Sequence, residues 1–234
     1  MRRAIAFLTP LGGAREPTSV TLTWFPVVGA LIGLAVGAVW WAADHAWAAA
    51  VSAALTVAAD LALTGMLHID GLIDSADGLL PQLSAERRLA VMSEPTVGAY
   101  GVAVAVTVLV VRFAALASMR PRPLLIAGVW CASRTAMAVA ARLAPYVRVD
   151  GGLADPFLGG DWRLVAGYGL VLAVALSAVT AGIAGAVAVA AGVAASAATV
   201  AMASRRIGGF TGDVLGAAGV VGETAALVLA AARW

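Results

Sequence analysis

Seven stretches of this chain carry few charges and approach the length of a bilayer crossing. They lie at about 27–43, 47–64, 98–117, 124–144, 164–180, 183–203 and 214–232. A helix needs about 20 mostly apolar residues to cross a bilayer, and backbone inside lipid must satisfy its own hydrogen bonds. Strand-like alternation is absent, which argues against a membrane barrel. The sequence therefore predicts one all-α integral membrane domain over residues 1–234, a polytopic transmembrane bundle of about seven helices.

Composition agrees with a membrane protein and excludes some functions. Hydrophobic residues make up 62% of the chain, whereas soluble domains are about 45–50% apolar. A net charge of +2, with arginine as the only basic residue besides histidine, gives no argument for a nucleic-acid partner. Cys131 is the single cysteine, so an internal disulfide and a multi-cysteine zinc site are excluded.

The arginines of the loops predict an orientation. With the N-terminus inside the cell, most of them fall on the cytoplasmic side: Arg2, Arg3, Arg15, Arg87, Arg88, Arg148, Arg163, Arg205 and Arg206. Only Arg120, Arg122 and the terminal Arg233 break the positive-inside rule. Three polar loops, at about 65–97, 145–163 and 204–213, then lie on one face. The prediction is a multi-pass protein of the cell membrane with its active site in cytoplasmic loops.

One segment concentrates acidic residues. Asp70, Asp74 and Asp77 are spaced i, i+4 and i+7, which places them within roughly 60° of one another on a helix. Like charges on one face repel, and Mg²⁺ is a cation suited to carboxylates and substrate phosphates. The plainer interpretation is a solvated helix end. His68 could position a phosphate, donate a proton or be structural.

A second polar segment, 205–217, is rich in arginine and glycine. Glycines allow close backbone approach, while loop amides and arginine side chains bind phosphate. Asp213 lies at the start of the last apolar segment, where a helix cap is the alternative to a substrate contact.

Charges also occur within the apolar segments. Asp60, Arg112 and Arg134 are costly there and indicate function. Arg134 is the best candidate for a phosphate contact, and the alternative is an intramembrane ion pair of Asp60 with Arg112 or Arg134. Glu223, in the last segment, could face the same pocket.

The run Thr64 to Gly78 closely resembles the signature of the cobalamin synthase family, also called adenosylcobinamide-GDP ribazoletransferase. Further similar segments are Phe7-Leu8-Thr9, Phe25-Pro26, Met92 to Gly101 and Arg205 to Ala217, followed by Glu223. The family often has Asp where Glu94 stands, and commonly Arg where Pro10 stands.

The resemblance implies a reaction and residue roles. The family joins adenosylcobinamide-GDP to α-ribazole, or its 5′-phosphate, and releases GMP, and Mg²⁺ is the implied cofactor. Metal ligands would be Asp70, Asp74 and Asp77, and catalytic residues Asp77, Asp74 and His68. Substrate-binding residues would be Arg206, Asp213, Gly209, Thr211, Arg134, Glu94 and Glu223. Other cobalamin-assembly enzymes are possible partners besides the bilayer.

Three other functions compete. CDP-alcohol phosphotransferases need Ala-Arg where Asp74-Ser75 stands, and membrane prenyltransferases usually have a second Asp-rich motif where this chain has 204–213. A secondary transporter would concentrate polar residues near the midplane, whereas this chain has most of them in loops.

Overall fold

The computed structural model describes residues 1–13, 18, 20–147 and 161–233, and nine α-helices contain most of them. These are α1 (Arg2–Leu8), α2 (Phe25–Ala46), α3 (Ala49–Leu63), α4 (Leu67–Leu79), α5 (Ala85–Val91), α6 (Ala99–Ala117), α7 (Pro123–Leu143), α8 (Trp162–Ile207) and α9 (Gly212–Ala230). The described residues contain no β-strand, only one isolated bridge between Tyr146 and Phe210. The all-α prediction is confirmed. Arg15 and Arg148 lie outside the described residues.

The helices define a multi-pass membrane protein. Five of them are long and apolar enough to cross a bilayer, and the count rises to six if the bent pair α3 and α4 is one span. The number of seven therefore stays a prediction, as does the cytoplasmic orientation of the loops.

Helix α8 is two helices joined at a break. It runs for 46 residues, and Gly182 inside it has φ 57° and ψ −139°. Residues other than glycine rarely adopt this conformation. A Cβ on Gly185 would lie 2.5 Å from the carbonyl oxygen of Ser177, so the chain reverses here. The break falls between the predicted segments 164–180 and 183–203. We call residues 162–181 the first leg of α8 and residues 183–207 its second leg.

The segment 65–97, predicted as a polar loop, is folded differently. It contains α4 and α5, and α4 turns by 89° from α3 across a break at Thr64–Met66. Gly65 and Met66 both have positive φ, 59° and 58°. Because α3 has only 15 residues, its length of about 22 Å falls short of the hydrocarbon thickness. Helix α3 thus ends before it has crossed the hydrocarbon region, and the 89° turn that follows places the acidic helix α4 against the bundle.

Small residues let the central helices approach closely. Added Cβ atoms on Gly29 and Gly33 of α2 would lie 2.6 Å from the carbonyl oxygens of Trp130 and Ile126 of α7. On the other side, a Cβ on Gly192 of α8 would lie 2.9 Å from the Gly222 carbonyl oxygen of α9. Such contacts drive helix association in lipid, where apolar surface alone does not. They leave α7 and α9 at the centre of the bundle.

Candidate active site

The three aspartates of α4 face different surroundings. The predicted helix is present, but Asp70 is exposed, Asp74 is half-buried and Asp77 is only 8% exposed. Among the described residues, no three His, Cys, Asp or Glu side chains are close enough together to hold a metal ion. The three carboxylates thus form no ready-made three-ligand site, and Mg²⁺ binding stays a prediction.

Asp77 binds the start of α6. Its Oδ2 accepts a hydrogen bond from the Gly98 amide at 2.7 Å, and its Oδ1 accepts one from the Gly101 amide at 2.8 Å. A Cβ on either glycine would collide with this carboxylate, which explains the Gly-x-x-Gly spacing. The first amides of a helix have no partner within the helix and favour a negative charge. Asp77 therefore supplies the N-terminal cap that α6 lacks locally.

These contacts favour a positioning role for Asp77 over the predicted metal or catalytic role. Asp77→Asn replaces one accepting oxygen by an NH₂ group that faces a backbone donor. We expect it to cost about 2–3 kcal/mol of stability, because a buried amide loses its partner. The thermal unfolding temperature should fall, while the Mg²⁺ concentration for half-maximal activity stays unchanged. A shift in that concentration at unchanged unfolding temperature would indicate a metal ligand instead.

The two motifs meet where α4 crosses the start of α9. A Cβ on Gly71 would lie 2.8 Å from the carbonyl oxygen of Asp213 and 2.9 Å from its Cα. One turn further along α9, Gly216 lies against the backbone of His68. Any larger residue at position 71 would separate α4 from α9. Asp213 thus lies against the helix that bears Asp70 and Asp74.

The loop before α9 is held by its own polar groups. Thr211 is fully buried, and its Oγ1 accepts a hydrogen bond from the Val214 amide at 3.3 Å and donates one to Asp213 at 3.2 Å. The helix cap is therefore Thr211, and the alternative that assigned the cap to Asp213 is wrong. Asp213 is half-buried in the first turn, where the helix dipole favours a carboxylate.

Two arginines cover the other end of α4. Arg88 donates to the carbonyl oxygens of Gly78 and Leu79 at 2.9 and 2.6 Å, and Arg206 also donates to Leu79. The last carbonyls of a helix have no partner within it and attract cations. The arginines thus tie α4 to α5 and to the end of α8. Arg206 remains exposed, and its predicted substrate contact stays a prediction.

Gly209 joins the end of α7 to this region. A Cβ there would collide with the Pro145 carbonyl oxygen, and the neighbouring Phe210 amide donates to that oxygen at 2.9 Å. We call the side of the bundle that contains α4, this junction and the start of α9 the motif face. Glu94 lies apart in the connection between α5 and α6 and pairs with Arg87 at 2.9 Å, both side chains being largely exposed.

A buried network of four charges links four helices. Arg112 of α6 donates to Asp60 of α3 at 2.8 Å and to Glu223 of α9 at 2.6 Å, and Arg134 of α7 also pairs with Glu223. All four residues are at most 7% exposed. Two acidic and two basic groups leave no net charge, which lowers the cost of placing them in a membrane.

Other polar groups complete this network. The Trp130 indole donates to Asp60 at 2.9 Å, and Arg112 also donates to Thr224 at 2.8 Å. Arg134 was predicted to contact phosphate, and the structure instead shows its guanidinium bound to a carboxylate. Sequence reasoning considered pairs with Asp60 but missed Glu223 as the bridge between both arginines. The available signal was that Asp60 and Glu223 are the acidic residues within the apolar segments, so that each is a candidate partner for the arginines there.

His68 points away from the exposed part of α4. It is 4% exposed, and neither ring nitrogen has a hydrogen-bond partner in the described part of the chain. Arg134, Glu223 and Arg112 are the charged groups that act on it electrostatically. A buried imidazole without partners is costly and needs an explanation. Its predicted catalytic role stays a prediction.

This fold and its motifs define a class of protein. It is an all-helical membrane protein in which a carboxylate-bearing helix meets an arginine- and glycine-rich loop. The sequence profile of cobalamin-5-phosphate synthase matches residues 1–231. The chain therefore belongs to the cobalamin-5-phosphate synthase family, and it is a transferase of cobalamin biosynthesis.

Curated relatives agree over nearly the whole length. The adenosylcobinamide-GDP ribazoletransferase of Chlorobium phaeovibrioides is 32% identical, covering 94% of this chain and 91% of the relative. The proteins of that name from Desulfitobacterium hafniense and Chlorobaculum tepidum are each 34% identical, covering 92% and 98% of this chain and 89% and 92% of the relatives. No solved structure matches the chain.

Proposed function

We propose that this protein joins adenosylcobinamide-GDP to α-ribazole, or to α-ribazole 5′-phosphate, with release of GMP. The observation that carries the proposal is the contact between Gly71 of α4 and the backbone of Asp213. It brings the acidic motif and the arginine- and glycine-rich motif to one place on the motif face. Relatives bearing the name of this activity support the same conclusion.

The reaction exchanges the phosphoanhydride bond of the diphosphate for a new phosphate ester bond. A ribose hydroxyl oxygen of α-ribazole forms a bond to the phosphorus next to the cobinamide. The bond from that phosphorus to the bridging oxygen of the diphosphate breaks, and GMP leaves with the bond's electron pair. The hydroxyl proton passes to a base. Such a step depends mostly on positioning and on charge neutralisation.

The residues present fit a bound Mg²⁺. This ion is usually held by one or two carboxylates together with waters and substrate phosphates, so a three-ligand cage is unnecessary. Asp70 and Asp74 lie one turn apart on the accessible part of α4, and Asp213 lies against the same helix. When bound, Mg²⁺ would neutralise charge on the diphosphate. We propose Asp70 and Asp74 as its ligands, with Asp213 as a further candidate.

The remaining residues bind and position. Arg206 of α8 is exposed and donates to the Leu79 carbonyl oxygen at the end of α4. Its guanidinium can also pair with the nucleotide phosphates. Thr211 and Gly209 maintain the loop in which Arg206 and Asp213 are presented. Asp77 keeps the start of α6 against α4. The orientation proposed for the motif face is cytoplasmic, where nucleotide substrates occur.

The direct test is an assay of the purified protein in detergent. With adenosylcobinamide-GDP, α-ribazole and Mg²⁺, we expect one GMP released for each joined corrinoid, both measured by chromatography. Removing Mg²⁺ with a chelator should stop the reaction. No GMP with any divalent metal, and with either form of ribazole, would refute the proposal.

Two controls separate this activity from its competitors. Without α-ribazole, GMP release would indicate hydrolysis rather than transfer. With a CDP-alcohol or a prenyl diphosphate in place of adenosylcobinamide-GDP, the protein should give no product. Turnover of either substitute at a comparable rate would favour the other classes of membrane transferase that share an Asp-rich motif.

A further inference from the structure

A large apolar cavity lies between α7 and the two legs of α8. Its volume is about 540 Å³, and α7 residues near the motif face, the start of the first leg and the end of the second leg line it. Most of the lining side chains are small or aliphatic, with six alanines among them: Ala136, Ala140, Ala144, Ala166, Ala197 and Ala201. Among the residues that the structure describes, no charged one lines it. This volume is within the range of small-molecule sites, about 300–1,000 Å³.

The cavity is a wedge with a closed end and an open end. Near the closed end, Gly185 lies against Ser177, and a Cβ on Gly128 of α7 would lie 2.5 Å from the carbonyl oxygen of Ala173. From there the two legs of α8 diverge, reaching Trp162 and Ser204 at the motif face. The second leg stays attached to α9, where Ser196 donates to the Ala218 carbonyl at 2.9 Å. The alanines thus line a gap that the helices do not close.

The chemistry of the wedge selects an apolar occupant. Its hydroxyl groups include those of Thr135 and Ser196, and both already donate to backbone carbonyls, at 2.7 and 2.9 Å. An empty gap of this size would forfeit the contacts that close packing provides. A polar ligand would lose its hydrogen bonds to water without replacement. A hydrocarbon chain from the surrounding bilayer meets neither penalty.

The open end carries positive charge. Arg163 and Arg205 adjoin the lining residues Trp162 and Ser204, and both are exposed. Neither forms an ion pair with another described residue, although Arg163 lies over the Trp162 ring at 5.5 Å. The Asp161 carboxylate accepts a hydrogen bond from the Arg163 backbone amide in the first turn of α8. The Arg142 guanidinium donates to the Asp161 carbonyl oxygen. Arginine and tryptophan at a membrane interface are suited to phospholipid head groups.

We propose that this wedge binds one acyl chain of an anionic phospholipid, whose phosphate lies at Arg163 and Arg205. The lipid fills the space between the legs of α8 and so holds the second leg in place beside α9. Because that leg leads directly to Arg205 and Arg206, the lipid stabilises the region where the two motifs meet. The proposal concerns lipid binding alone and holds whatever reaction the motif face performs.

The test uses the full chain, extracted in a mild detergent, and two lipids with the same chains. Native mass spectrometry should find one phosphatidylglycerol bound per protein. After delipidation, dioleoyl phosphatidylglycerol should raise the unfolding temperature by roughly 5 °C, and dioleoyl phosphatidylcholine should raise it clearly less. Equal effects of the two lipids, or the same effect from glycerol phosphate without chains, would overturn the proposal.

Two neighbouring alanines supply matched variants. Ala197 lines the wedge, whereas Ala198 is exposed on the same helix without lining it. Ala197→Phe should remove both the bound lipid and the temperature shift, and Ala198→Phe should keep both. Arg163→Gln combined with Arg205→Gln keeps the wedge intact and should abolish only the preference for phosphatidylglycerol. A retained lipid in Ala197→Phe would overturn the proposal.

Discussion

Asp74→Asn is expected to lower the rate of GMP release by roughly 10²- to 10³-fold, because it removes a carboxylate charge that would hold the cation on the diphosphate. The side chain is half-buried on α4, on the face between Asp70 and the contact with α9. An amide has nearly the same shape, so the thermal unfolding temperature should change little. The measurement is the initial rate over a range of Mg²⁺ concentrations, with both substrates saturating.

A distant carboxylate provides the control for Asp74. Asp44 is exposed near the end of α2, far along the chain from both motifs, and Asp44→Asn should leave the rate unchanged. If Asp74→Asn retained full activity at every Mg²⁺ concentration, Asp74 would not be a metal ligand. GMP release by the unaltered protein would still support the proposed reaction, so the two hypotheses are separable.

Glu223→Gln should be among the most destabilising single changes in the chain, at about 3–5 kcal/mol. Glu223 accepts from both Arg112 and Arg134 and is 2% exposed. Its neutralisation leaves two buried arginines with Asp60 as the one remaining acidic partner in the network. The thermal unfolding temperature in detergent should fall by roughly 10 °C.

A second variant and a surface pair test this explanation. Arg134→Met together with Glu223→Gln leaves the neutral pair of Asp60 and Arg112, so we expect it to recover part of the lost stability. Glu94→Gln breaks an exposed pair with Arg87 and should change stability by less than about 1 kcal/mol. Equal losses of stability from Glu94→Gln and Glu223→Gln would mean that the buried network contributes no more to stability than an exposed ion pair.

Much of the fold was readable from local sequence. Long apolar segments predict membrane helices because lipid leaves the backbone no other partners, and α2, α6, α7 and α9 follow the predicted segments closely. Within the segment 65–97, the helical spacing of the aspartates was recognised, but the packing of that helix against the bundle was not. In the structure, α4 buries His68 and Asp77 against α9 and α6. Polarity alone does not distinguish a loop from a helix that packs across helix ends.

The site was predictable as a set of motifs but not as an arrangement. The spacing of Asp70, Asp74 and Asp77 does place them on one side of a helix. Their separate roles depend on what packs against each residue, and for Asp77 that is the start of α6. No local signal connects Asp77 to Gly98, or Arg134 to Glu223, because these partners are far apart in sequence.

The sequence alone determined that the chain is a helical membrane protein and that Asp70 to Gly78 is its acidic segment. It could do so because hydropathy and helical spacing are local properties of the chain. Only the tertiary structure decided that Asp77 caps α6, that Arg134 pairs with Glu223, and that Gly71 brings Asp213 to α4. Those outcomes depend on close packing between helices that are far apart in sequence. There, the absence of one Cβ or the presence of one buried charge decides which residues become neighbours.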